Sequence, residues 1–433
     1  MNLKNRSINV GLLGMGVVGS GVVKALTQKS ALIAQQIGCS VNIARILVKD
    51  MDKPRAVDVP KSLLTTTPAD ILEDPHVHLV VEVMGGERPA LDYLRQALQE
   101  GKSVVTANKE VMAKHGPELL ALATQKGAQI LFEASVGGGI PILRPLTKDL
   151  RANEISAIRA IINGTTNYIL TKMTYENMEF TQALKEAQEL GYAEADPTND
   201  VEGIDAGYKL AILASLAFRT KVASQDVYRE GISRLTARDF RYARELGYVI
   251  KLMAIARREG DQLEARVHPV LIPQEAPLAK VDGVLNAVEV EGDLVDKVLF
   301  HGRGAGSMPT TSAVMADILE AGWNIARGTT PNSFVTLDRA MSIRSISDLV
   351  TRYYIRTTVS DRSGVLAQMA TILGNLQISI ASVIQQEADH KEQTAELVIT
   401  THPSRERDVQ QALKELAELE VVREIGNVLR VEE

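Results

Sequence analysis

The chain has 433 residues, with 48 basic and 54 acidic side chains and a formal net charge of −6. A length of this order allows roughly two to four domains with cores of their own. The balanced charge and lack of a basic cluster exclude a nucleic-acid partner, the single cysteine, Cys39, excludes a disulfide framework and fits a reducing cytoplasm, and no run of about 18 apolar residues offers a membrane span.

In chain order, residues 8–13 form an apolar run that ends in Gly14-Met15-Gly16-Val17-Val18-Gly19, and residues 20–27 have a helical pattern. Five glycines between 10 and 23 fit this strand–turn–helix better than a secretory leader behind Lys4 and Arg6. In a dinucleotide loop the first glycine makes the turn and the second admits the pyrophosphate. The third lets the helix approach the strand, with its N-terminus facing the phosphates. Gly14, Gly16, Val17, Val18 and Gly19 are the candidate cofactor contacts; a structural βα turn is the plain alternative. A second strand at 41–48 ends in Lys49-Asp50. Lys49, with Arg55 nearby, is placed to meet a 2′-phosphate of NADP(H), while Asp50 leaves NAD(H) open. A solvated strand-end lysine explains Lys49 nearly as well. Further strands are predicted at 77–83, 103–106 and 128–132, with a helix at 90–100. Thr106, Asn108 and Lys109 fall at a strand's carboxyl end, where doubly wound sheets bind ligands, so Lys109 is aimed at the nicotinamide.

Glu133-Ala-Ser-Val-Gly-Gly-Gly-Ile140 is a glycine-rich loop able to turn carbonyls toward a hard cation. Its single carboxylate, Glu133, suits a monovalent ion, and an interdomain hinge is the equally sensible alternative. A strand at 157–162 precedes Asn163-Gly-Thr-Thr-Asn167, in which Asn or Thr caps a helix at 168–175. A second helix spans 180–191. Glu194, Asp196, Asp200, Glu202 and Asp205 then crowd a loop shaped by Gly191, Pro197, Gly203 and Gly207, ahead of Lys209 and an apolar run at 210–218. On a helix, Asp205 and Lys209 share one face. A solvated acidic loop is the plain alternative to a cation-holding substrate site. Strands at 264–272, 286–292 and 295–300 lead to a second glycine loop, His301 to Gly306, and a helix at 311–321. Gly306 is a further candidate cofactor contact. After a link at 328–348, strands at 353–359, 378–385, 395–400 and 421–428 and helices at 365–376 and 408–419 spell βαββαβ, a ferredoxin-like order.

The sequence resembles homoserine dehydrogenase over essentially its whole length. The most specific segment is Gly191-Tyr-Ala-x-x-Asp196-Pro-x-x-Asp200-Val-x-Gly203-x-Asp205-x-x-x-Lys209. The glycine loop, Thr106-Ala-Asn-Lys109, Glu133-Ala-Ser-Val-Gly and Asn163-Gly-Thr-Thr-Asn stand in the family's order, and Asp361-Arg-Ser-Gly-Val-Leu366 resembles an ACT domain. The resemblance implies an α/β fold. A Rossmann-type doubly wound parallel sheet would occupy 1–135, and a second α+β catalytic and dimerisation domain 136–330, with 302–325 packing back on the first. A ferredoxin-like ACT domain would occupy 350–433. It implies reversible NAD(P)H-dependent reduction of L-aspartate 4-semialdehyde to L-homoserine, with Lys209 as proton donor and Lys109 as a second lysine at the reacting end. Glu194 and Asp205 would hold the substrate, with Asp200 in support. Gly191 and Gly306 would line the nicotinamide pocket. Glu133 with the carbonyls of Val136, Gly138 and Ile140 would bind sodium. Threonine is the implied allosteric ligand and a homo-oligomer, dimer or tetramer, the expected assembly. Lys49 departs from the arginine often found at that strand end.

Two rival readings compete with this one. Aspartate-semialdehyde dehydrogenase needs a thiolate, yet Cys39 is far in sequence from any substrate loop. A non-catalytic nucleotide and amino-acid sensor would have no use for intact Lys109, Glu194, Asp205 and Lys209.

Overall fold

The structure, a computed structural model, describes residues 7–329, 335–389 and 392–432. Residues 1–6, at the head of the first predicted domain, and 330–334, within the predicted link, lie outside the described residues, as do 390–391 and 433. The chain divides into two compact units. The first comprises Met1–Ile158, Tyr208–Val227 and Asn286–Met341, the second Arg159–Gly207, Tyr228–Leu285 and Ser342–Glu433.

The first unit is built on a parallel sheet with strands β1 (Ser7–Leu13), β2 (Ser40–Leu47), β3 (Leu64–Thr65), β4 (Leu79–Glu82), β5 (Ser103–Thr106) and β6 (Ile130–Leu131). Their order is β3-β2-β1-β4-β5-β6, and every neighbouring pair is parallel. The winding reverses between β1 and β4, so a crevice opens at their carboxyl ends, where ligands of such sheets bind. Val10, Leu12, Leu79, Val81 and Val105 are buried because helices cover both faces; each contributes roughly 1.5–3 kcal/mol. One of these helices, Ser307–Arg327, arrives from the far side of the sequence. It sets Val314, Ile318 and Ala321 into the same core as Val10, Val22, Leu26 and Ile37. Tight approach requires its partners to be small: a Cβ on Gly21 would lie 2.1 Å from Thr311 Oγ1. The prediction omits β3 and overextends β6, because two-residue strands show no period.

In the second unit, Tyr248–Glu259 and Gln262–Pro273 form an antiparallel hairpin across Gly260-Asp261, in register from Gln262↔Glu259 to Pro273↔Tyr248. The first of these strands escapes prediction because its middle, Ile250 to Ala256, is buried on both faces and does not alternate. The ferredoxin-like module follows the expected order. Its strands Val350–Ser360, Ile380–Asp389, Thr394–Thr401 and Val422–Val431 alternate with helices Val365–Asn375 and Glu406–Ala417. Across the sheet the order is 422–431, 350–360, 394–401, 380–389, all antiparallel. Helix Glu406–Ala417 buries Val409, Ala412 and Leu416, one face of a 3.6-residue repeat, against Tyr353, Ile355 and Leu397.

Candidate active site

The turn after β1 fits a dinucleotide. Gly14 has φ +100° and donates its N–H to Leu47 O at 3.0 Å. A Cβ on Gly19 would lie 2.2 Å from Gly14 O, whereas one on Gly16 would meet nothing within 4 Å. The third glycine thus closes the turn and the second leaves the approach to a phosphate open. Helix Val17–Gln28 follows with no side-chain cap and no acid in its first turn, so its N-terminal amides are suited to an anion. Val17 is exposed and Val18 half-buried. The second glycine loop returns here: Gly306, at φ +118°, caps helix Ser307–Arg327, and Ser307 Oγ donates to Val17 O at 3.1 Å.

At the carboxyl end of β4 stands a residue the sequence reading passes over, Glu82, which is 0 % exposed. Its carboxylate accepts Thr106 Oγ1 at 2.5 Å and Met84 N at 2.7 Å. Burial pushes this carboxyl up, against the pull of those hydrogen bonds. Thr106 Oγ1 in turn accepts Asn108 N at 3.0 Å. The Asn108 side chain caps helix Lys109–Lys126 by accepting Val111 N at 3.1 Å, and it donates to Gly86 O at 2.7 Å. Glu82 therefore fixes, through two hydrogen-bonded neighbours, the helix start that carries half-buried Lys109. Hydrogen bonds from Lys114 and His115 hold the Glu87 carboxyl down at about 2 and pin the loop after β4 to this helix. The same Lys114 ammonium lies 5.7 Å over the Tyr208 ring, bringing helix Lys109–Lys126 beside helix Ile204–Phe218, on which Lys209 follows Tyr208.

Lys49 and Asp50 are exposed just beyond β2. Asp50 Oδ1 accepts Asp52 N at 2.8 Å, and Arg55 donates to the carbonyls of Met51, Lys53 and Asp50. Arg55 thus serves the loop itself, and Lys49 is the exposed basic side chain at the strand end.

Within the second unit the acidic stretch is ordered around one amide. Asn163 Nδ2 donates to Asp200 Oδ1 at 2.7 Å and to Asp205 Oδ2 at 3.0 Å. Its Oδ1 accepts Thr166 N at 2.9 Å, capping helix Gly164–Glu176. The network fixes which way the amide points. The sequence reading takes Asn163 only as a cap; its other end gathers two carboxylates, and no local signal reveals that. Asp205 is 4 % exposed, in the first turn of its helix, where the dipole favours an anion. Glu194 is exposed on the loop above, whose backbone is held by Gln188 Nε2 on Glu194 O at 3.0 Å and by Thr165 Oγ1 on Tyr192 O at 2.7 Å. Gly191 turns that loop at φ +74°. Asp196 makes a local turn with Thr198, which holds its carboxyl below the usual range.

Glu133 is 5 % exposed, and its carboxylate accepts the amides of Ile142, Leu143 and Arg144 at 2.6–2.8 Å. The side chain therefore caps the following helical segment, leaving its backbone carbonyl as the group to offer a cation. Val136, Gly138 and Ile140 are buried. Among the described residues no hydrogen bond ends on their carbonyl oxygens. Carbonyls of this kind, on buried residues and without a hydrogen bond, are the type of ligand a hard monovalent ion takes. Gly138, at φ +56°, admits no side chain, since a Cβ would lie 2.2 Å from Gly304 O.

Comparison with known proteins finds matches along nearly the whole chain. Residues 14–133 match the model of the homoserine dehydrogenase NAD-binding domain, 141–319 that of homoserine dehydrogenase, and 353–421 the ACT domain. A homoserine dehydrogenase of Bacillus subtilis is 45 % identical over 427 residues, covering 99 % of each chain. The crystal structure of one from Thiobacillus denitrificans superposes with a TM-score of 0.93 at 42 % identity, again over 99 % of each chain. A hyperthermophilic archaeal homoserine dehydrogenase in complex with NADPH superposes with a TM-score of 0.63 at 29 % identity, over 73 % of this chain and 98 % of that one.

Proposed function

The chain belongs to the homoserine dehydrogenase family and is an NAD(P)-dependent oxidoreductase; we propose that it reversibly reduces L-aspartate 4-semialdehyde to L-homoserine, on the route to threonine, isoleucine and methionine. The observation that carries this reading is the pair Asp200 and Asp205 held on the Asn163 amide, with Lys209 one helical turn beyond Asp205. A substrate ammonium needs concentrated negative charge, which Asp205, Asp200 and the nearby Glu194 supply. Bound nicotinamide supplies the hydride. As hydride reaches the aldehyde carbon, negative charge grows on oxygen, and Lys209 donates a proton there. Lys109 contributes a second cation at the reacting end, where it too faces the charge that grows on oxygen.

By this reading residues 1–135 bind the nucleotide, through Gly14, Gly16, Val17, Val18, Gly19 and Thr106. Residues 136–330 carry catalysis and dimerisation, and 350–433 form the ACT regulatory domain. Gly191 and Gly306 line the nicotinamide end. Exposed Lys49 favours NADP(H) over NAD(H), in keeping with the NADPH bound by the archaeal relative. Glu133 and the carbonyls of Val136, Gly138 and Ile140 would hold a sodium ion. No described helix is long and apolar enough to cross a membrane; a cytoplasmic homo-oligomer sensing threonine through the ACT domain completes the proposal. The test is homoserine-dependent reduction of NADP and of NAD, each with and without threonine. Failure to reduce either nucleotide would reject the activity, and indifference to threonine would reject the regulatory part.

A further inference from the structure

The last strand of the ferredoxin-like module is built into the sheet of the second unit. Val422–Val431 pairs in parallel with Gln262–Pro273 at Val270↔Arg430 and Leu271↔Val431, and Glu432 N donates to Leu271 O at 2.9 Å. Glu432 accepts from Arg159, Arg257 and Arg266 at 2.6–3.0 Å. The module is anchored, not hung on a tether.

Arg430, 3 % exposed, serves two carboxylates with one guanidinium. Toward the module it holds Glu406, with Nε and Nη2 each at 2.7 Å. Away from the module it holds Glu230, with Nη1 at 3.0 Å and Nη2 at 2.9 Å. Such a planar fork transmits position because it is rigid and both contacts are paired.

The residues that follow Glu230 press on the acidic stretch. Ile232 N donates to Val201 O at 2.8 Å, and Ser233 Oγ to Glu202 Oε1 at 2.9 Å. Gly231 lies so close that a Cβ there would meet Glu202 Oε2 at 2.4 Å and Val201 O at 2.6 Å. Val201 and Glu202 stand between Asp200 and Asp205, the two carboxylates clamped by Asn163. An unbroken set of short contacts thus runs from the module's last strand to the acidic pair.

We propose that Glu230 is a positioning residue for substrate binding. Held by Arg430, it fixes the strap 230–233 against which Asp200 and Asp205 are set. The final strand of the regulatory module is then part of the substrate site's support, and displacement of that strand is read as a change in substrate affinity. This inference rests on the reading that Asp200 and Asp205 hold the substrate.

The test uses the full-length enzyme and three variants: Glu230→Gln, Glu230→Asp and Asp205→Asn. Glu230→Gln should raise the KM for homoserine about tenfold, with kcat within about twofold and the nucleotide KM unchanged, as loss of one charged pair predicts. Glu230→Asp, which keeps the charge for Arg430, should recover part of that loss. An unchanged homoserine KM in Glu230→Gln, or a fall in kcat alone, overturns the inference while a raised KM in Asp205→Asn leaves the substrate reading intact. An unchanged KM in Asp205→Asn overturns the substrate reading and the inference with it. Should Glu230→Gln fail to fold, Gly231→Ala forces the strap off Val201 without touching Arg430. It must raise the homoserine KM, and an unaltered value overturns the proposal.

Discussion

The hydroxyl of Thr106 donates to the buried carboxylate of Glu82 at 2.5 Å, across the register pair that joins β4 to β5. Two strand ends are thereby locked where the sheet's crevice opens, and the helix start bearing Lys109 inherits their position. Replacing Glu82 by Ala strands Met84 N and the Thr106 hydroxyl inside the protein. At about 1–3 kcal/mol for each orphaned group, Glu82→Ala should lose roughly 2–6 kcal/mol in denaturant unfolding. Glu82→Gln should lose less than half of that, because burial already pushes the acid toward its neutral form and the amide has the same shape. Equal losses in the two variants would reject the account.

Asn163 joins a helix cap to a carboxylate clamp, and two substitutions separate these tasks. Asn163→Ala removes both and should cost about 0.5–2 kcal/mol of stability for the cap, besides weakening homoserine binding. Asn163→Asp keeps an acceptor for Thr166 N but sets a third carboxylate against Asp200 and Asp205. Its cap contribution should survive while the homoserine KM rises about tenfold or more, since a like charge replaces a donor. A KM in Asn163→Asp equal to that of the parent enzyme would dismiss the clamp.

Much of this arrangement is legible in the sequence, and the exceptions have physical causes. The glycine turn is legible because each glycine answers a distinct steric demand, and Gly14, Gly16 and Gly19 meet three different ones. The ferredoxin-like module is legible because its strand-like and helical segments follow one another in the βαββαβ order, even though both faces of its central strands are buried. Tyr248–Glu259 is not, since apolar residues fall on both its faces between Ile250 and Ala256 and leave no alternation to detect, whereas its equally buried partner still alternates from Leu263 to His268. Glu82 reads as the acidic end of an apolar run, and only the pairing of β4 with β5 gives it Thr106. The two-sided role of Arg430 is hidden for the same reason: Glu230 and Glu406 are distant in sequence, and each looks like a surface charge.

Asp317 gives a pH test. It is 2 % exposed, takes Glu133 N at 2.8 Å, and stands 3.5 Å from an Arg144 nitrogen. Burial, with the neighbouring Glu133 charge adding to it, pushes its carboxyl well above the ordinary 3.8. The native state therefore binds this proton more tightly than the unfolded chain does. The stability it contributes is full below pH 3.8 and is lost as pH rises through the higher native value. Asp317→Asn keeps an acceptor for Glu133 N without the titration. Its unfolding free energy relative to the parent should increase from about pH 4 upward; a difference flat from about pH 4 to 8 would show that the burial of charge is fully offset.

Exposed Lys49 makes a prediction about the coenzyme. If its ammonium meets the 2′-phosphate, Lys49→Asp replaces attraction with repulsion and offers an acceptor to the 2′-hydroxyl of NAD. An exposed pair is worth no more than about 1 kcal/mol, and reversing its sign should shift the ratio of kcat/KM for NADP over NAD by roughly tenfold toward NAD. Raised salt should shrink the effect. An unmoved ratio would place phosphate recognition elsewhere on the loop.

Lys209 is the sharpest test of the chemistry. A proton must reach the carbonyl oxygen as hydride reaches carbon, and a positioned acid accelerates such a step by about 10²–10⁴-fold. Lys209→Ala should therefore lower kcat by that factor while NADPH affinity, measured by fluorescence titration, changes by less than about threefold, because the glycine turn and its helix are untouched. Lys209→Arg separates charge from proton donation. A guanidinium keeps the cation but holds its proton too tightly to give it up. It should bind substrate nearly as well as lysine and turn over almost as poorly as alanine. Turnover restored by arginine would mean that Lys209 acts by charge alone and that the proton comes from another group.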